Sequence, residues 1–287
     1  MKLRGTTSVY GILGDPVAHS LSPLMQNAAF AASGIDAVYV PFHVPPSELA
    51  AAVAGLRSLA VCGVNLTIPH KEAILPLLDE VDEAARQIGA VNTVVNRTGK
   101  LSGYNTDAGG FLASLADDLN ISARGRRGLL LGAGGACRAA AVALASEGAA
   151  QVVIANRNSA RAVALAAKYA SLFPDTAFIG CGIEVDALRP LLEEADFLVN
   201  TSAVGLQGEA FPPWVLQSLA PAAAVLDMVY RRGGTPLVIA SRAAGRDVTD
   251  GLGMLAGQGE LAFTLWTGVA PPRALMKNTL LAECLGK

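Results

Sequence analysis

Three clusters of polar residues in the first third of the chain carry side chains that could bind a small ligand. They occupy residues 19–23, residues 63–72, and residues 89–93 together with 103–107. Asn65 and Thr67 alternate with apolar residues, so both side chains point to one face of a strand. The clusters offer hydroxyls, amides, an ammonium group and carboxylates, which are the kinds of group that a small polyhydroxylated acid would need.

Lys71 and Asp107 are the charged candidates in these clusters. A lysine at a helix start is usually a surface residue, and Asp107 could serve as the N-cap of a helix that begins near Gly109. Lys71 is nevertheless favoured as a functional residue because it directly follows the strand that carries Asn65 and Thr67. Asp107 could be both a cap and a catalytic group.

A glycine-rich turn, LLLGAGGACR at residues 129–138, follows a strand pattern and opens a helix pattern. This is the context of a dinucleotide-binding fingerprint. Gly132 permits the tight turn, and Gly134 lets the backbone approach a pyrophosphate at the helix N-terminus. The third fingerprint position is Cys137 rather than glycine or alanine, so the match is partial, and a plain strand–helix turn is the alternative.

The end of the next strand favours NADP over NAD. An NAD site has an acidic residue about 20 residues after the turn to bind the ribose 2′-hydroxyl. The sequence there is ANRNSAR at residues 155–161, with Arg157 and Arg161 and no carboxylate. Guanidinium groups pair with a 2′-phosphate, which a carboxylate would repel. Surface arginines are the alternative, although a helix start disfavours cations.

Length and composition indicate a folded protein of about two domains. Of the 287 residues, 52% are hydrophobic and 16% are charged, which excludes an intrinsically disordered chain. The net charge of −2 and the pI of about 5.9 argue against nucleic-acid binding. The four cysteines and three histidines are scattered, so neither a metal site nor a disulfide framework is expected. Without a signal peptide or an apolar span, we expect a cytoplasmic protein with no membrane association.

Short β-branched runs alternate with Ala- and Leu-rich helical stretches, which predicts an α/β fold with mostly parallel strands. In the first part we predict strands at residues 9–13, 37–44, 61–68 and 90–96, and helices at 23–32, 47–59 and 71–88, with Ser22 as an N-cap. The pattern restarts after Asp107. There we predict strands at residues 128–131, 151–155, 177–179, 197–200 and 224–229, helices at 109–119 and 135–147, and two final helices at 254–265 and 273–285.

Taken together, these motifs resemble the shikimate dehydrogenase family over essentially the whole chain. The matching blocks, in the order of the family, are GDPVAHSLSP, NLTIPHKE, IGAVNTV, GYNTDAGGF, GAGGA, NR followed by Arg161, DMVY and GLGMLAGQGELAF. The resemblance implies two α/β domains. The N-terminal substrate domain, residues 1–107, is completed by the C-terminal helices at 250–287, and a Rossmann-type NADP-binding domain is inserted at 108–249.

The resemblance also implies roles for single residues, with Lys71 and Asp107 as the catalytic pair. Substrate contacts would come from Ser20 and Ser22 at a carboxylate, from Asn65, Thr67, Asn92 and Gln258 at ring hydroxyls, and from Tyr230, which would close the site. Cofactor contacts would come from Gly132, Ala133, Gly134, Gly135 and Ala136 at the pyrophosphate, from Asn156, Arg157 and Arg161 at the 2′-phosphate, and from Thr201, Ser202, Met228 and Gly251 on the nicotinamide side.

The implied reaction is the reversible reduction of 3-dehydroshikimate to shikimate by NADPH, a step of aromatic amino acid and chorismate biosynthesis. Lys71 would stabilise the charge that develops on the carbonyl oxygen, and Asp107 would orient Lys71. Which of the two transfers the proton stays open. The expected partner is the small-molecule substrate alone, in a monomer or a homodimer.

Two other functions are considered. One is the oxidation of quinate, or of quinate and shikimate, with NAD. The Ser20 and Ser22 pair favours shikimate, because family members that prefer quinate tend to carry threonine at the second position. The other is a non-catalytic NADP-binding regulator, which the presence of both Lys71 and Asp107 disfavours.

Overall fold

The computed structural model describes residues 3–272 and 274–285, and the chain divides into two compact α/β units. The first unit consists of Met1–Gly110 with Leu255–Lys287, and the second of Phe111–Met254. Within the described residues, no helix is long and apolar enough to cross a lipid bilayer.

The first unit is built on a mixed six-stranded sheet with the order β2-β1-β3-β5-β6-β4. Its strands are β1 (Ser8–Gly14), β2 (Ala37–His43), β3 (Gly63–Leu66), β4 (Glu80–Val81), β5 (Thr93–Arg97) and β6 (Lys100–Tyr104). Strands β1, β2 and β3 are parallel, whereas β5 runs antiparallel to β3 and β6. Its helices are α1 (Ser22–Ala32), α2 (Leu49–Ser58), α3 (His70–Ala73), α4 (Glu83–Ile88) and α12 (Leu275–Leu285).

The second unit contains six parallel strands in the order β12-β11-β10-β7-β8-β9. They are β7 (Arg127–Leu131), β8 (Gln151–Ala155), β9 (Ala177–Cys181), β10 (Phe197–Asn200), β11 (Ala224–Asp227) and β12 (Val248–Thr249). The helices are α6 (Gly135–Ser146), α7 (Ser159–Leu172), α8 (Val185–Glu194), α9 (Trp214–Ser218) and α10 (Pro236–Ala243). This strand order is that of the doubly wound dinucleotide-binding fold.

Two helices contain residues of both units. Helix α5 (Asp107–Leu119) begins in the first unit, and helix α11 (Gly251–Thr267) begins in the second. The apolar runs of β7, β10 and β11 are buried along nearly their full length, as expected of parallel strands covered on both faces.

The prediction of one helix at residues 71–88 is wrong. The structure has helix α3, a 3₁₀ turn at Leu75–Leu77, strand β4 and helix α4 in that segment. Pro76 lacks the backbone N–H that a continuing helix needs. The Asp82 side chain then accepts a hydrogen bond from the Ala84 N–H and caps α4 as a separate helix.

Three smaller corrections concern one strand that was not predicted and the first residues of two helices. Strand β6 was not predicted; Thr98 and Gly99, with φ of 53° and 90°, form the turn that joins it to β5. Helix α1 begins at Ser22 itself, with Leu21 at the N-cap position, so Ser22 is not the N-cap. The last helix begins at Leu275, and residue 273 of the predicted range lies outside the described residues.

Trp266 anchors helix α11 to the sheet of the first unit. Its indole Nε1 donates a hydrogen bond to the Val94 carbonyl oxygen at 3.0 Å. Its ring packs against Tyr10 and Tyr39, at centroid distances of 5.2 and 6.0 Å. Gly63 leaves the space for the indole, because a Cβ there would lie 2.3 Å from Nε1.

We expect Trp266→Phe to lower the free energy of unfolding by about 2 kcal/mol, because the variant loses a buried hydrogen-bond donor and part of the ring volume. Urea denaturation followed by circular dichroism measures this loss. Trp214→Phe, which changes the tryptophan of the second unit, is the control. A loss for Trp266→Phe no larger than that of the control would contradict the anchoring role.

Candidate active site

Lys71 and Asp107 form an ion pair in the first unit. Lys71 lies on the short helix α3, and Asp107 is the first residue of α5. The Lys71 Nζ and Asp107 Oδ2 atoms are 2.6 Å apart, and the side chains are 23% and 8% exposed. A carboxylate so far from water requires a counter-ion, and Lys71 supplies it while keeping one side accessible.

Asn92 holds the other oxygen of the carboxylate. Its Nδ2 donates to Asp107 Oδ1 at 2.8 Å and to the Thr106 hydroxyl at 3.0 Å. The Asn92 Oδ1 atom in turn accepts from the Thr106 backbone N–H at 2.7 Å. Each oxygen of Asp107 therefore has its own donor, and these bonds fix the plane of the carboxylate.

Asn105, rather than Asp107, makes the capping bonds at the start of α5. The Asn105 Oδ1 atom accepts from the backbone N–H groups of Asp107 and Ala108, at 3.1 and 3.4 Å. The alternative interpretation of Asp107 as a helix cap is therefore wrong. Its two oxygens remain directed at Lys71 and Asn92.

Other predicted substrate residues also lie in the first unit. Asn65, Asn92 and Gln258 are buried, and the Asn92 Nδ2 lies 3.5 Å from Gln258 Oε1. The Ser20 hydroxyl accepts from the Ser22 backbone N–H at 3.3 Å, so these two serines are adjacent.

The remaining predicted substrate residues are Thr67 and Tyr230. Thr67 is half-buried and lies just beyond the end of β3. Tyr230 belongs to the second unit, where it follows β11. The described residues include no group of three or more His, Cys, Asp or Glu side chains arranged to hold a metal ion.

The glycine turn between β7 and α6 is tight at Gly132 and open at Gly134. Gly132 has φ of +122°, and a Cβ there would lie 2.7 Å from the Thr201 hydroxyl. Nothing lies within 4 Å of the corresponding Cβ position at Gly134, so its backbone is open to a ligand. Ala133, Gly135 and Ala136 complete the turn and begin α6, whose first amides point out of the helix.

Cys137 lies buried beneath this turn. Burial raises the pKa of its thiol from 9.0 to about 12, so the side chain stays neutral. Cys137 therefore packs as a small apolar residue at the fingerprint position that usually holds glycine or alanine.

Two arginines that were predicted to bind a 2′-phosphate lie just after the end of β8. Arg157 and Arg161 are both exposed, and the Asn158 side chain caps α7 by accepting from the Arg161 N–H at 3.1 Å. Asn156 Nδ2 donates to the Asn158 carbonyl oxygen and braces the same turn. Two guanidinium groups and a helix N-terminus favour an anion here.

The predicted nicotinamide-side residues follow the ends of β10, β11 and β12. The Thr201 hydroxyl donates to the Leu131 carbonyl oxygen at 2.9 Å, next to the glycine turn. The Gly251 backbone approaches Met228 so closely that a Cβ on Gly251 would lie 2.2 Å from the Met228 carbonyl oxygen. Ser202 donates to Asn200 Oδ1 through both its N–H and its hydroxyl.

Asp227 organises this region and was not among the predicted site residues. Its Oδ1 atom accepts from Asn200 Nδ2 at 2.8 Å and from the Val229 N–H at 3.0 Å. Its Oδ2 atom accepts from the Thr235 hydroxyl at 2.6 Å. Burial raises the pKa of Asp227 above its usual 3.8, and the hydrogen bonds from Thr235, Val229 and Asn200 partly oppose that rise. An acidic residue at the end of an apolar strand was the available sequence signal.

We expect the stability of Asp227→Asn, measured as the free energy of unfolding, to increase relative to that of the wild type as pH rises from about 4 to 7. The raised pKa means that the folded wild type binds more protons than the unfolded chain above pH 3.8. Its stability contribution is therefore largest below that pH and is lost as pH rises through the folded-state pKa. Asparagine does not titrate. Urea denaturation of both proteins across this range measures the difference, and a difference independent of pH would contradict the assignment.

A dinucleotide-binding sheet in one unit and a lysine–carboxylate pair among amides in the other are typical of nucleotide-dependent oxidoreductases. Three family models match the chain. The shikimate dehydrogenase substrate binding domain matches residues 12–94. The shikimate / quinate 5-dehydrogenase model matches residues 114–204, and the shikimate 5′-dehydrogenase C-terminal domain matches residues 251–281.

Full-length relatives give the same result. A shikimate dehydrogenase (NADP+) from Geobacter metallireducens is 50% identical over 98% of this chain and 99% of the relative. The chain therefore belongs to the shikimate dehydrogenase family.

Two solved structures are similar over nearly the whole chain. A shikimate 5-dehydrogenase from Thermus thermophilus, in complex with NADP(H) and shikimate, has a TM-score of 0.86 and 39% identity, covering 97% of this chain and 100% of that one. A quinate dehydrogenase from Corynebacterium glutamicum, in complex with NAD, has a TM-score of 0.86 and 32% identity, covering 96% of this chain and 99% of that one.

Proposed function

We propose that this chain catalyses the reversible reduction of 3-dehydroshikimate to shikimate with NADPH. The observation that carries the proposal is the Lys71–Asp107 ion pair, with an N–O distance of 2.6 Å, set among the amides of Asn65, Asn92 and Gln258. The 50% identity to a shikimate dehydrogenase (NADP+) over almost the full length supports the same reaction.

The residues of the second unit fit an NADP molecule. The open backbone at Gly134 suits a pyrophosphate, and the exposed Arg157 and Arg161 suit a 2′-phosphate. Bound NADPH would supply the hydride that reduces the ring ketone. Thr201, Ser202, Met228 and Gly251 are proposed to hold the nicotinamide side.

Lys71 is proposed to handle the charge and the proton at the substrate oxygen. As the carbonyl carbon gains a hydride, its oxygen gains a negative charge, which the Lys71 ammonium stabilises. Lys71 then gives a proton to that oxygen and leaves a hydroxyl, and the resulting neutral amine regains its proton from water. Asp107 orients the amine and accepts a hydrogen bond from a neighbouring substrate hydroxyl.

Polar side chains around this pair are proposed to hold the rest of the substrate. Ser20 and Ser22 would donate to the carboxylate, with Tyr230 near it, and Thr67, Asn65, Asn92 and Gln258 would bind the ring hydroxyls. A cytoplasmic location and a monomeric or homodimeric state stay predictions.

We expect Lys71→Met to lower kcat for shikimate oxidation by about 10²- to 10⁴-fold, because the ammonium is lost while the aliphatic stem is kept. The KM for shikimate should change much less. Lys100→Met is the matched control, since Lys100 pairs with Glu80 on the surface of the same unit. Near-full turnover by Lys71→Met would disprove the catalytic role.

We expect the Arg157→Ala, Arg161→Ala double variant to lower kcat/KM for NADP by about 100-fold and to leave that for NAD almost unchanged, because only NADP carries the 2′-phosphate. Steady-state kinetics with both cofactors measure this ratio. Arg189→Ala, which removes an exposed arginine from α8, serves as the control. Equal losses with NADP and NAD would contradict the proposed role of the arginines.

The quinate alternative has support in the similarity to the Corynebacterium enzyme. A spectrophotometric assay with shikimate or quinate, each with NADP or NAD, separates the possibilities through four values of kcat/KM. Dominance of shikimate with NADP supports the proposal. Dominance of quinate or NAD would overturn the specificity, and NADP binding without any turnover would indicate a regulator.

A further inference from the structure

A line of hydrogen bonds runs through the interior of the first unit and ends at the Asp107 carboxylate. We name it the polar chain, and its members in order are Tyr39, Asn65, Thr93, Asn92 and Asp107. Tyr39 and Thr93 are 1% and 0% exposed, so both side chains are enclosed by protein. Neither residue belongs to the predicted site.

The first part of the polar chain depends on the Tyr39 hydroxyl. Tyr39 Oη donates to Asn65 Oδ1 at 2.7 Å. The Ser22 side chain, through its interaction with the phenol, only partly offsets the effect of burial on the pKa of Tyr39. Burial raises the pKa of Tyr39 well above its usual 10.0, so the phenol remains a donor at any pH where the enzyme works.

The orientation of the Asn65 amide follows from its neighbours. Asn65 Nδ2 lies 3.1 Å from the Asn92 carbonyl oxygen and 3.0 Å from the Thr93 hydroxyl. A carbonyl oxygen only accepts, so the amide nitrogen must stand on that side, and Oδ1 must face Tyr39. Both N–H bonds of the Asn65 amide are thereby used. Asn65 can therefore bind a further group only as an acceptor, through the second lone pair of Oδ1.

The second part of the polar chain leads to the carboxylate. The Thr93 hydroxyl accepts from Asn65 and donates to Asn92 Oδ1 at 3.0 Å. Asn92 Nδ2 then donates to Asp107 Oδ1 at 2.8 Å. Every donor points the same way, toward the negative charge, and hydrogen bonds in such a series polarise and strengthen one another in a medium of low dielectric constant.

We propose that Tyr39 and Thr93 are positioning residues for the reaction, which fix Asn65 as an acceptor and Asn92 as a donor and so hold Asp107 against Lys71. This inference rests on the proposed function. Thr93 acts next to the catalytic pair, so its loss should act mainly on kcat. Tyr39 acts next to Asn65, which is proposed to bind a ring hydroxyl, so its loss should act mainly on the KM for shikimate.

Thr93→Val and Thr93→Ser form the first test, because valine keeps the shape and serine keeps the hydroxyl. We expect Thr93→Val to lower kcat for shikimate by about tenfold and Thr93→Ser to recover most of that loss. Asn92 Oδ1 keeps its bond from the Thr106 N–H in both variants, so both should fold. Thermal denaturation checks this, and the KM for NADP should not change.

Tyr39→Phe and Tyr10→Phe form the second test. Tyr10 and Tyr39 are register partners on β1 and β2, and both rings pack against Trp266, but the Tyr10 hydroxyl lies outside the polar chain. We expect Tyr39→Phe to raise the KM for shikimate by about tenfold and Tyr10→Phe to leave it within about twofold.

The double variant Tyr39→Phe, Thr93→Val tests whether the chain acts as a unit. We expect its kcat/KM to fall little below that of the worse single variant, whereas Tyr10→Phe with Thr93→Val should be additive. Full additivity in the first pair, equal losses for Thr93→Val and Thr93→Ser, or a Tyr39→Phe enzyme no worse than Tyr10→Phe would each overturn the proposal. A wild-type protein without shikimate turnover would instead refute the proposed function, and this inference with it.

Discussion

The buried negative charge of Asp107 sets the conditions that the first unit must meet. A carboxylate removed from water is costly unless a counter-ion and hydrogen-bond donors replace the lost solvation. Lys71 supplies the positive charge and Asn92 supplies the amide donor, at 2.6 and 2.8 Å. Helix α3, the segment before β5 and the start of α5 must therefore converge on one point, since each contributes one member of this group.

The second unit meets a different requirement. Its glycine turn must expose backbone amides while the residues around the turn stay closely packed. Gly132 allows the chain to turn sharply against Thr201, and Cys137 is fully buried in the first turn of α6. Asp227, the last residue of β11, has a comparable role, since it fixes Asn200 and, through it, Ser202. In both units, a buried and hydrogen-bonded carboxylate holds residues that are proposed to face the ligand.

Local rules were enough to predict the features that depend on local geometry. The strand–glycine–helix turn and Arg157 at the end of β8 follow from spacing alone, because backbone approach and charge need only neighbouring residues. The α/β class and the restart of the pattern after Asp107 follow from alternation. The predicted ends of helices and strands were less accurate where one residue overrides the apolar pattern. Pro76 does so in the segment at residues 71–88, which was predicted to be one helix.

The polar chain could not be predicted from spacing, for a physical reason. Tyr39 and Thr93 lie in strands rich in β-branched and aromatic residues, where each looks like an ordinary core side chain. Their hydroxyls matter only because β2, β3 and β5 bring them to Asn65 across the sheet. Asn105 and Asp107 show the same limit at shorter range, since either could cap α5 and only the three-dimensional contacts distinguish them.

The cysteine under the nucleotide turn has a consequence for chemical reactivity. Thiols are oxidised and alkylated as thiolates, and a buried thiol with a pKa of about 12 is almost never ionised at neutral pH. Cys137 therefore adds volume between helix α6 and the sheet without adding a nucleophile. We therefore expect oxidants to leave Cys137 unmodified, although related fingerprints have glycine or alanine at this position.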